Sequence, residues 1–258
     1  NYNFKLDNNS YVMGILNLTP DSFSDGGKWN DFETAIHRAT EIEEQGAHFL
    51  DIGAQSTRPG YITVSEEEEW DRLKNVLKVI KDKVKIPVSI DTFYPEIARR
   101  AMEYGVDIIN DVTGCENPKM FEVAFKYNCG VIINHNFGNL EIKSFFEKKL
   151  LESIQYGLKP QQICFDPGIG FNKTRNQDAY ILKHLKEIKI PQNAILIGAS
   201  RKRIIGACCG NPPPQNRTAG TIAAHTIAVL NGANIVRVHD IKEAVQALKV
   251  TNFINNIV

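Results

Sequence analysis

AHFLDIG at residues 47–53 is a short apolar run, and it is followed by the helix-like stretch EEEEWDRLKNVLKVIKDK at 66–83 and by a second apolar run, KIPVSID, at 85–91. Both runs are nearly continuous in apolar residues, which is typical of strands in a parallel sheet that is covered on both faces. The stretch between them repeats its apolar residues at intervals of three and four, as an amphipathic helix does. The segment therefore predicts a β–α–β unit.

The same alternation continues along the whole chain, with further helix-like stretches such as those at 32–46 and 218–233. A repeating βα order favours either a doubly wound sheet or a closed barrel, and eight units in 258 residues favour the barrel. We therefore expect an α/β fold, a (β/α)8 TIM barrel, with residues 1–258 as a single domain. The other six predicted strands are YVMGILN at 11–17, VDIIND at 106–111, CGVIINH at 129–135, ICFD at 163–166, AILIGAS at 194–200 and NIVRVHD at 234–240.

The charge balance and the cysteines narrow the class of protein. Lys+Arg and Asp+Glu each count 30, so the formal net charge is zero and the composition gives no reason to expect nucleic acid or an anionic membrane as a partner. The five cysteines lack CxxC spacing, which favours a reducing compartment over a disulfide framework or a zinc site. No apolar run reaches the roughly 20 residues that span a bilayer, and the opening residues carry no signal-peptide pattern. We expect a cytoplasmic protein.

Polar residues stand at the carboxyl ends of the predicted strands. In a (β/α)8 barrel those ends meet on one face, where such enzymes keep their active sites. Helix capping explains one such residue alone, and Asp51, Asp111 and Asp240 are candidates for a structural role. Eight strands that all end in polar groups nevertheless predict a site. The residues are Asn17, Asp51, Asp91, Asn110, Asp111, His135, Asp166, Ser200, Arg201, Lys202, Arg237 and His239.

Two long loops follow the first two predicted strands: LTPDSFSDGGKWN at 18–30 and AQSTRPGYITVSEEE at 54–68. Polar, glycine-containing loops of this length in a compact domain usually cover an active site, and the alternative is a surface excursion without function. Arg58 stands beside Pro59 and Gly60, which suggests an anion contact held in a rigid turn.

Seven motifs occur in one order along the chain: GILNLTPDSFSDGG at 14–27, STRPG at 56–60, SIDT at 89–92, NDVTG at 110–114, DPGIGF at 166–171, SRK at 200–202 and RVHD at 237–240. Over roughly residues 12–250, their order and spacing resemble those of the dihydropteroate synthases, which are pterin-binding enzymes. The resemblance implies a transferase of folate biosynthesis that condenses 6-hydroxymethyl-7,8-dihydropterin pyrophosphate with p-aminobenzoate and releases pyrophosphate, with Mg2+ as cofactor. It also implies a homodimer. Because the chain begins with Asn rather than Met, the sequence is compatible with a trimmed chain and equally with one module of a longer polypeptide, fused there to another folate-pathway enzyme.

The resemblance implies a pterin pocket deep in the barrel. Asp91 and Asp166 would accept hydrogen bonds from the ring N–H and amino groups. Asn110 and Lys202 would donate to ring nitrogens or to the carbonyl oxygen. Phe171 would form an apolar wall. Asp91 and Lys202 would count among the catalytic residues as well.

The resemblance also implies a pyrophosphate site made by Arg58, Arg237 and His239 with Asn17, which would in addition offer an oxygen to Mg2+. Residues 237 and 239 point to the same side of a strand, so both can face the barrel axis while Val238 faces the helices. Asn17, Arg237 and His239 would be catalytic because they act on the leaving group. The p-aminobenzoate pocket implied by the resemblance comes from the two loops, with Phe23, Asp25, Thr57, Arg58 and Pro59.

The sequence departs from the family pattern at INHN, residues 133–136. Asn134 and Asn136 stand where methionines usually flank the histidine, and one of those methionines commonly lines the pterin pocket. We expect Asn136 either to disturb that apolar packing or to add a hydrogen bond to the ring. Asn172 and Asn216 stand where a glycine and an acid are usual.

Two other functions are compatible with parts of the pattern. A pterin-binding methyltransferase module would share the barrel and the Asp and Asn contacts, but it would have no use for Asn17, Arg58 or the pair Arg237 and His239. A non-catalytic pterin-binding homologue is favoured only by the INHN departure. A measurement of pyrophosphate release separates the synthase from this homologue.

Overall fold

The computed structural model describes residues 2–6, 9–18, 28–55 and 63–257. Within these residues it has eight strands: β1 (Tyr11–Asn17), β2 (Phe49–Gly53), β3 (Val88–Asp91), β4 (Ile108–Asp111), β5 (Gly130–Asn134), β6 (Ile163–Asp166), β7 (Ala194–Ile197) and β8 (Ile235–Val238). All neighbouring strands are parallel, and β1 pairs with both β2 and β8, which closes the sheet into a barrel in sequence order. The expected (β/α)8 TIM barrel is confirmed.

Helices connect the strands on the outside of the barrel. In the described part of the chain they are α1 (Lys28–Glu44), α2 (Glu66–Lys83), α3 (Pro95–Glu103), α4 (Lys119–Tyr127), α5 (Ile142–Gln155), α6 (Arg175–Lys183), α7 (Leu185–Ile188), α8 (Arg203–Cys208), α9 (Thr218–Leu230) and α10 (Ile241–Asn255). None of these described helices is both long enough and apolar enough to cross a lipid bilayer.

Local sequence signals account for where two of these helices begin. The Ser65 hydroxyl accepts a hydrogen bond from the backbone N–H of Glu68 at 3.2 Å and caps α2, whose first turn is acidic and whose last turn is basic. Before α6, Thr174 and Gln177 exchange side-chain and backbone hydrogen bonds in a capping box. These caps fix the entry of each helix after its loop.

The alternation of side chains along the strands gives the barrel an outer and an inner set. Val12, Ile90, Val236 and Val238 belong to the outer set, which packs against the helices, as predicted for Val238. At the amino-terminal end, the inner set is apolar and consists of Met13, Phe49, Ile132, Cys164, Leu196 and Ile235.

The inner set changes character two residues further along the same strands. Because every second residue faces the same side, six positions follow the apolar layer inside the barrel, and four of them are polar or charged: Asp51, Asn134, Asp166 and Arg237, beside Ile15 and Gly198. All but Arg237 are almost fully buried, and Arg237 is only partly exposed. The barrel therefore holds a charged and polar layer on top of an apolar one, at the carboxyl end where the predicted site lies.

Candidate active site

Arg237 is the centre of the polar layer. Its Nε donates to Oδ2 of Asp51 at 2.6 Å, and its Nη2 donates to Oδ2 of Asp91 at 2.7 Å. Asn110 donates from Nδ2 to the same oxygen of Asp51 at 3.1 Å. The structure thus brings Asp91, Asn110 and Arg237 into one network. Asp51, which the sequence suggested as a structural residue, joins Asn110 to Arg237, and Arg237 in turn contacts Asp91.

One guanidinium in this network faces two carboxylates inside the barrel. Burial raises the pKa of Asp91 to about 7, because Arg237 offsets only part of the desolvation and Asp51 repels a second negative charge. Burial by itself would lower the pKa of Arg237, but Asp51 and Asp91 hold it above its usual range. The arrangement keeps Arg237 charged and allows Asp91 to hold a proton near neutral pH.

Asp166 and Lys202 form a second charged group beside this network. An ideal Cβ on Gly198 would lie 3.9 Å from Oδ2 of Asp166 and 3.8 Å from Nζ of Lys202, so both groups flank this glycine. Burial raises the pKa of Asp166, and the charge of Lys202 opposes that shift. Burial also lowers the pKa of Lys202 to about 8, against the attraction of Asp166. The ammonium of Lys202 lies 4.5 Å from the ring centre of Phe171 and donates to the carbonyl of Ile169 at 2.6 Å.

Asn17 and His239 line a separate cavity of about 310 Å³ at the rim of the barrel, together with the cations Arg38 and Arg201. Ser200 fixes His239 there: its hydroxyl lies 3.0 Å from Nδ1 of the ring and accepts from the His239 backbone N–H at 3.2 Å. The cavity has the polarity that an anion requires.

Two of the cations around this cavity were given no role by the sequence: Arg201 was among the polar strand-end residues, and Arg38 was not predicted. The SRK motif contains Arg201, so its position next to Lys202 was a usable signal. Arg38 lies inside α1, and nothing in its local sequence distinguishes it from a surface arginine of a helix.

The rim cavity offers little to a metal ion without a further ligand. Asn17 contributes one amide oxygen, and the charged residues that line the cavity with it are cations, each paired with a carboxylate: Arg38 with Glu41 and Arg201 with Asp240. No group of three or more His, Cys, Asp or Glu that could hold a metal occurs among the described residues. Mg2+ commonly binds through few protein ligands and completes its octahedron with substrate phosphates and water. Asn17 therefore fits Mg2+ that is bound mainly by a diphosphate.

The residues predicted for the p-aminobenzoate pocket, Phe23, Asp25, Thr57, Arg58 and Pro59, lie outside the described residues. The two ends of the second loop are described, however, and they are joined. Gln55 accepts from the backbone N–H of Val64 at 3.1 Å and donates to the buried carboxylate of Glu69 at 2.7 Å. Tyr94 donates to the carbonyl of Val64 at 2.9 Å. The base of this loop is therefore tied to α2 and to the start of α3.

The structure reverses the expectation for the two asparagines of INHN. Asn136 does not face the barrel interior: its carbonyl and side-chain oxygens accept from Nδ2 of Asn172 at 3.0 and 3.1 Å, in exposed surroundings. Asn134 is the inward residue, at the end of β5 and 2% exposed. Asn172 has a φ of +49°, which explains why a glycine suits this position and why Asn, which tolerates this conformation, can replace it.

A larger cavity, of about 770 Å³, lies at the opposite end of the barrel. Its lining comes from the starts of the strands and from the amino-terminal segment, including Phe4, Tyr11, Met13 and Phe49. Phe4 packs against Tyr11 and Phe49 with ring centres 5.0 and 4.4 Å apart. Because the buried charges lie at the other end, this cavity is not the candidate active site.

The fold and the site define an enzyme of the (β/α)8 barrel class that binds a polar, anionic small molecule. Comparison with known proteins identifies the family. The model of the family described as "Pterin binding enzyme" matches residues 13–239. The dihydropteroate synthase of Clostridium beijerinckii is 44% identical over 260 residues, which are 97% of this chain and 96% of that protein.

Two solved structures are similar over nearly the whole chain. The Clostridium difficile dihydropteroate synthase, crystallised in the presence of pteroic acid, has a TM-score of 0.94 and 39% identity, covering 98% of this chain and 99% of that one. The Xanthomonas albilineans dihydropteroate synthase with 4-aminobenzoic acid has a TM-score of 0.93 and 35% identity, covering 99% and 96%. The chain belongs to the pterin-binding enzymes and, among them, to the dihydropteroate synthases.

Proposed function

We propose that this chain condenses 6-hydroxymethyl-7,8-dihydropterin pyrophosphate with p-aminobenzoate to give 7,8-dihydropteroate and pyrophosphate. The observation that carries the proposal is the polar layer inside the barrel, where Asp51, Asp91 and Asp166 lie buried with Arg237 and Lys202. The pteroic acid and 4-aminobenzoic acid of the two related structures support the choice of substrates.

The pterin is recognised by this layer. A pterin edge alternates hydrogen-bond donors and acceptors, so it requires both carboxylates and cationic or amide donors. Asp166 accepts from the ring N–H and the amino group, and Lys202 beside it donates to the carbonyl oxygen. Asp91 and Asn110 contact the opposite part of the ring, and Phe171 packs against it.

Pterin binding also frees Arg237 for the leaving group. In the ligand-free arrangement, Nη2 of Arg237 donates to Asp91. A pterin N–H that donates to Asp91 replaces this contact, and the guanidinium can then donate to a phosphate oxygen while Nε stays on Asp51. The cation is available only when the pterin is in position.

The diphosphate lies toward the rim, where His239 supplies a hydrogen-bond donor and Arg201, which is paired with Asp240, supplies positive charge. Asn17 would hold Mg2+ together with phosphate oxygens, and the metal would supply charge neutralisation for the diphosphate. Arg58 belongs to the same site by resemblance. His239, oriented by Ser200, and Arg237 then stabilise the charge that develops on the leaving oxygen.

The chemistry requires no protein nucleophile. The bond from the exocyclic methylene carbon to the diphosphate oxygen breaks, and pyrophosphate leaves with the electron pair. The amino nitrogen of p-aminobenzoate forms the new C–N bond and loses a proton. The pterin ring donates electrons to the methylene carbon, so the residues act by holding both substrates in line and by stabilising the departing charge. Phe23, Asp25, Thr57, Arg58 and Pro59 remain the proposed p-aminobenzoate pocket.

A pyrophosphate-release assay with the pterin pyrophosphate, p-aminobenzoate and Mg2+ tests the proposal. We expect stoichiometric release of pyrophosphate and formation of dihydropteroate only when both substrates are present. Pterin binding without any release would instead identify a non-catalytic homologue. Release that does not depend on p-aminobenzoate would show hydrolysis and contradict the proposed transfer.

A homodimer is part of the proposal, and an exposed apolar face supports it. Helices α9 and α10 pack side by side, and both expose apolar side chains. Such a patch on a folded chain is typical of a protein interface, and we expect a second copy to cover it. Analytical ultracentrifugation tests this: Phe253→Asp should give monomers, whereas Leu151→Asp on α5 should not. The face consists of Ile227, Leu230, Val250, Phe253 and Ile254, which are 48–71% exposed.

The cytoplasm is the proposed compartment. All five cysteines lie in the described residues and are free thiols, and Cys208 and Cys209 are exposed neighbours. Exposed adjacent thiols persist best in a reducing compartment. Fractionation of cells that express the full-length protein tests this assignment.

A further inference from the structure

Asn134 is a buried polar residue without an explanation in the ligand-free barrel. It is the last residue of β5 and is 2% exposed. Its Oδ1 is buried and has no hydrogen-bond partner among the described residues. A buried amide oxygen without a partner costs folding free energy, so such a group calls for a partner that the ligand-free chain does not supply.

The position of Asn134 is next to the pterin-binding carboxylate. Ile132, two residues earlier on β5, belongs to the apolar inner layer, so Asn134 also faces the barrel interior. In the strand register Asn134 is paired with Asp166, and the following backbone N–H, that of His135, donates to the Asp166 carbonyl at 2.8 Å. Asn134 therefore flanks Asp166 on the β5 side, whereas Lys202 flanks it on the β7 side.

We propose that Asn134 is a pterin-recognition residue, whose side-chain amide hydrogen-bonds the amino-pyrimidine edge of the ring beside Asp166. This edge presents in order an acceptor (the carbonyl oxygen), two donors (N3–H and the 2-amino group) and an acceptor (N1). A carboxylate that takes the two donors requires a donor on each flank. Lys202 supplies one of these donors. The amide of Asn134 lies at the N1 and 2-amino end, where its Nδ2 donates to N1 and its Oδ1, which has no partner among the described residues, accepts from the second hydrogen of the 2-amino group.

This inference rests on the proposed function, which puts the pterin against Asp166. It differs from the expectation drawn from the sequence, since it assigns the ring contact to Asn134 rather than to Asn136. Asn136 is two residues away but lies in exposed surroundings, where Asn172 binds it. The pair therefore offers a matched control, because the same substitution can be made inside and outside the barrel.

The experiment compares Asn134→Leu and Asn136→Leu, since Leu resembles Asn in shape and cannot form hydrogen bonds. The probe is 6-hydroxymethylpterin without phosphate, and its dissociation constant is measured by fluorescence titration beside the melting temperature of the ligand-free protein. We expect Asn134→Leu to weaken binding about tenfold or more, as loss of the two hydrogen bonds made by one amide does. The same variant should melt no lower than the wild type, because it removes a buried amide that has no partner there. Asn136→Leu should bind the probe as the wild type does.

A pterin analogue with hydrogen in place of the 2-amino group assigns the contact to the edge. In the wild type, the analogue should bind more weakly than the probe. In Asn134→Leu this difference in affinity should be smaller, because the change in the ligand and the change in the protein remove parts of the same contact. If Asn134→Leu folds poorly, Asn134→Met, which restores the residue usual in the family, replaces it in both measurements. Equal or tighter binding of the probe by the Asn134 variants would overturn the inference. Because the probe carries no phosphate, a chain that binds it but does not condense the substrates would refute the proposed reaction and leave this contact standing.

Discussion

Arg237 on β8 donates from Nη2 to Oδ2 of Asp91 on β3 at 2.7 Å, although 146 residues separate them in sequence. The same guanidinium also donates to Asp51, so two buried carboxylates share one partly buried cation. If both carboxylates were ionised, a net negative charge would lie in the barrel interior, which solvates it poorly. Proton uptake by Asp91 relieves this charge, in agreement with its pKa of about 7.

This relationship makes a prediction about stability. Burial raises the folded-state pKa of Asp91 to about 7, so the folded protein binds this proton more tightly than the unfolded chain does. The resulting contribution to the free energy of unfolding is fully present below the unfolded-state pKa and is lost as the pH rises through about 7. Asp91→Asn removes this titration. We expect its unfolding free energy to increase relative to that of the wild type as the pH rises from about 4 to 7. Urea titrations across this range measure the difference, and a constant difference would show that Asp91 does not titrate there.

Asp91→Asn should at the same time weaken pterin binding by about 1–3 kcal/mol, because an acceptor for a ring N–H becomes partly a donor. Isothermal calorimetry with 6-hydroxymethylpterin measures this loss. Asp82→Asn makes the same chemical change at an exposed position on α2 and should leave both binding and pH dependence unchanged. Normal pterin binding by a folded Asp91→Asn variant would show that the pterin does not lie on this carboxylate.

Arg237→Ala should lower the reaction rate with the diphosphate-bearing substrate much more than it weakens binding of the pterin ring. We expect kcat/KM for the pterin pyrophosphate to fall about 100-fold or more, as loss of a donor to developing charge does. Binding of 6-hydroxymethylpterin should change far less, since that ligand has no phosphate. The variant leaves Asp51 and Asp91 without their cation, so melting curves must accompany the kinetics. If the loss of activity merely follows the unfolded fraction, Arg237 is a structural residue.

The strands could be predicted because strands of a parallel sheet that are buried on both faces have short, nearly continuous apolar sequences. Every predicted run contains a strand, but six strands are shorter than their runs, such as β7 (Ala194–Ile197) against AILIGAS at 194–200. The flanking residues continue the sequence pattern without continuing the hydrogen-bonded ladder. Run lengths in sequence therefore overestimate strand lengths.

The pairing of side chains inside the barrel could not be predicted in the same way. The sequence indicated that Asp51, Asp91 and Arg237 lie at the same end of the barrel. Which carboxylate contacts the guanidinium depends on the stagger of the strands in the closed barrel. The inward asparagine was assigned wrongly for a different reason, the end of strand β5. Period two along β5 puts Asn134 on the inside, whereas Asn136 follows the end of the strand, where that period no longer applies.

Removal of divalent metal should abolish condensation without abolishing pterin binding. Asn17 is the single predicted protein ligand for Mg2+, and the diphosphate supplies most of the remaining ligands. In excess chelator we expect pyrophosphate release to fall to background while the dissociation constant of 6-hydroxymethylpterin stays the same. Asn17→Ala should raise the Mg2+ concentration needed for half-maximal rate by about tenfold. Full turnover in chelator would remove this role from Asn17.

Loss of the Gln55 side chain should raise the KM for p-aminobenzoate more than it weakens binding of the pterin. It joins both ends of the second loop to Glu69, and that loop carries the predicted residues Thr57, Arg58 and Pro59. Gln55→Ala removes both hydrogen bonds, so we expect the KM for p-aminobenzoate to rise about tenfold while phosphate-free pterin binds normally. Steady-state kinetics with each substrate varied in turn measures the split. Equal effects on both substrates would indicate a general loss of folding instead.

Ser200 should act on catalysis only through His239. Its hydroxyl lies 3.0 Å from Nδ1 of the imidazole and also accepts from the His239 backbone N–H, so it holds the ring in one orientation at the rim cavity. When the hydroxyl donates to Nδ1, the neutral ring carries its proton on Nε2, which can then donate to a phosphate oxygen. We expect His239→Ala to lower kcat about 100-fold and Ser200→Ala about tenfold, since the second variant keeps the donor but loses its orientation. In the double variant, loss of Ser200 should add little, because the ring it orients is already absent. Ser144→Ala, an exposed serine on α5, provides the control for the substitution itself. Strictly additive effects of Ser200→Ala and His239→Ala on kcat would show that the two residues act independently.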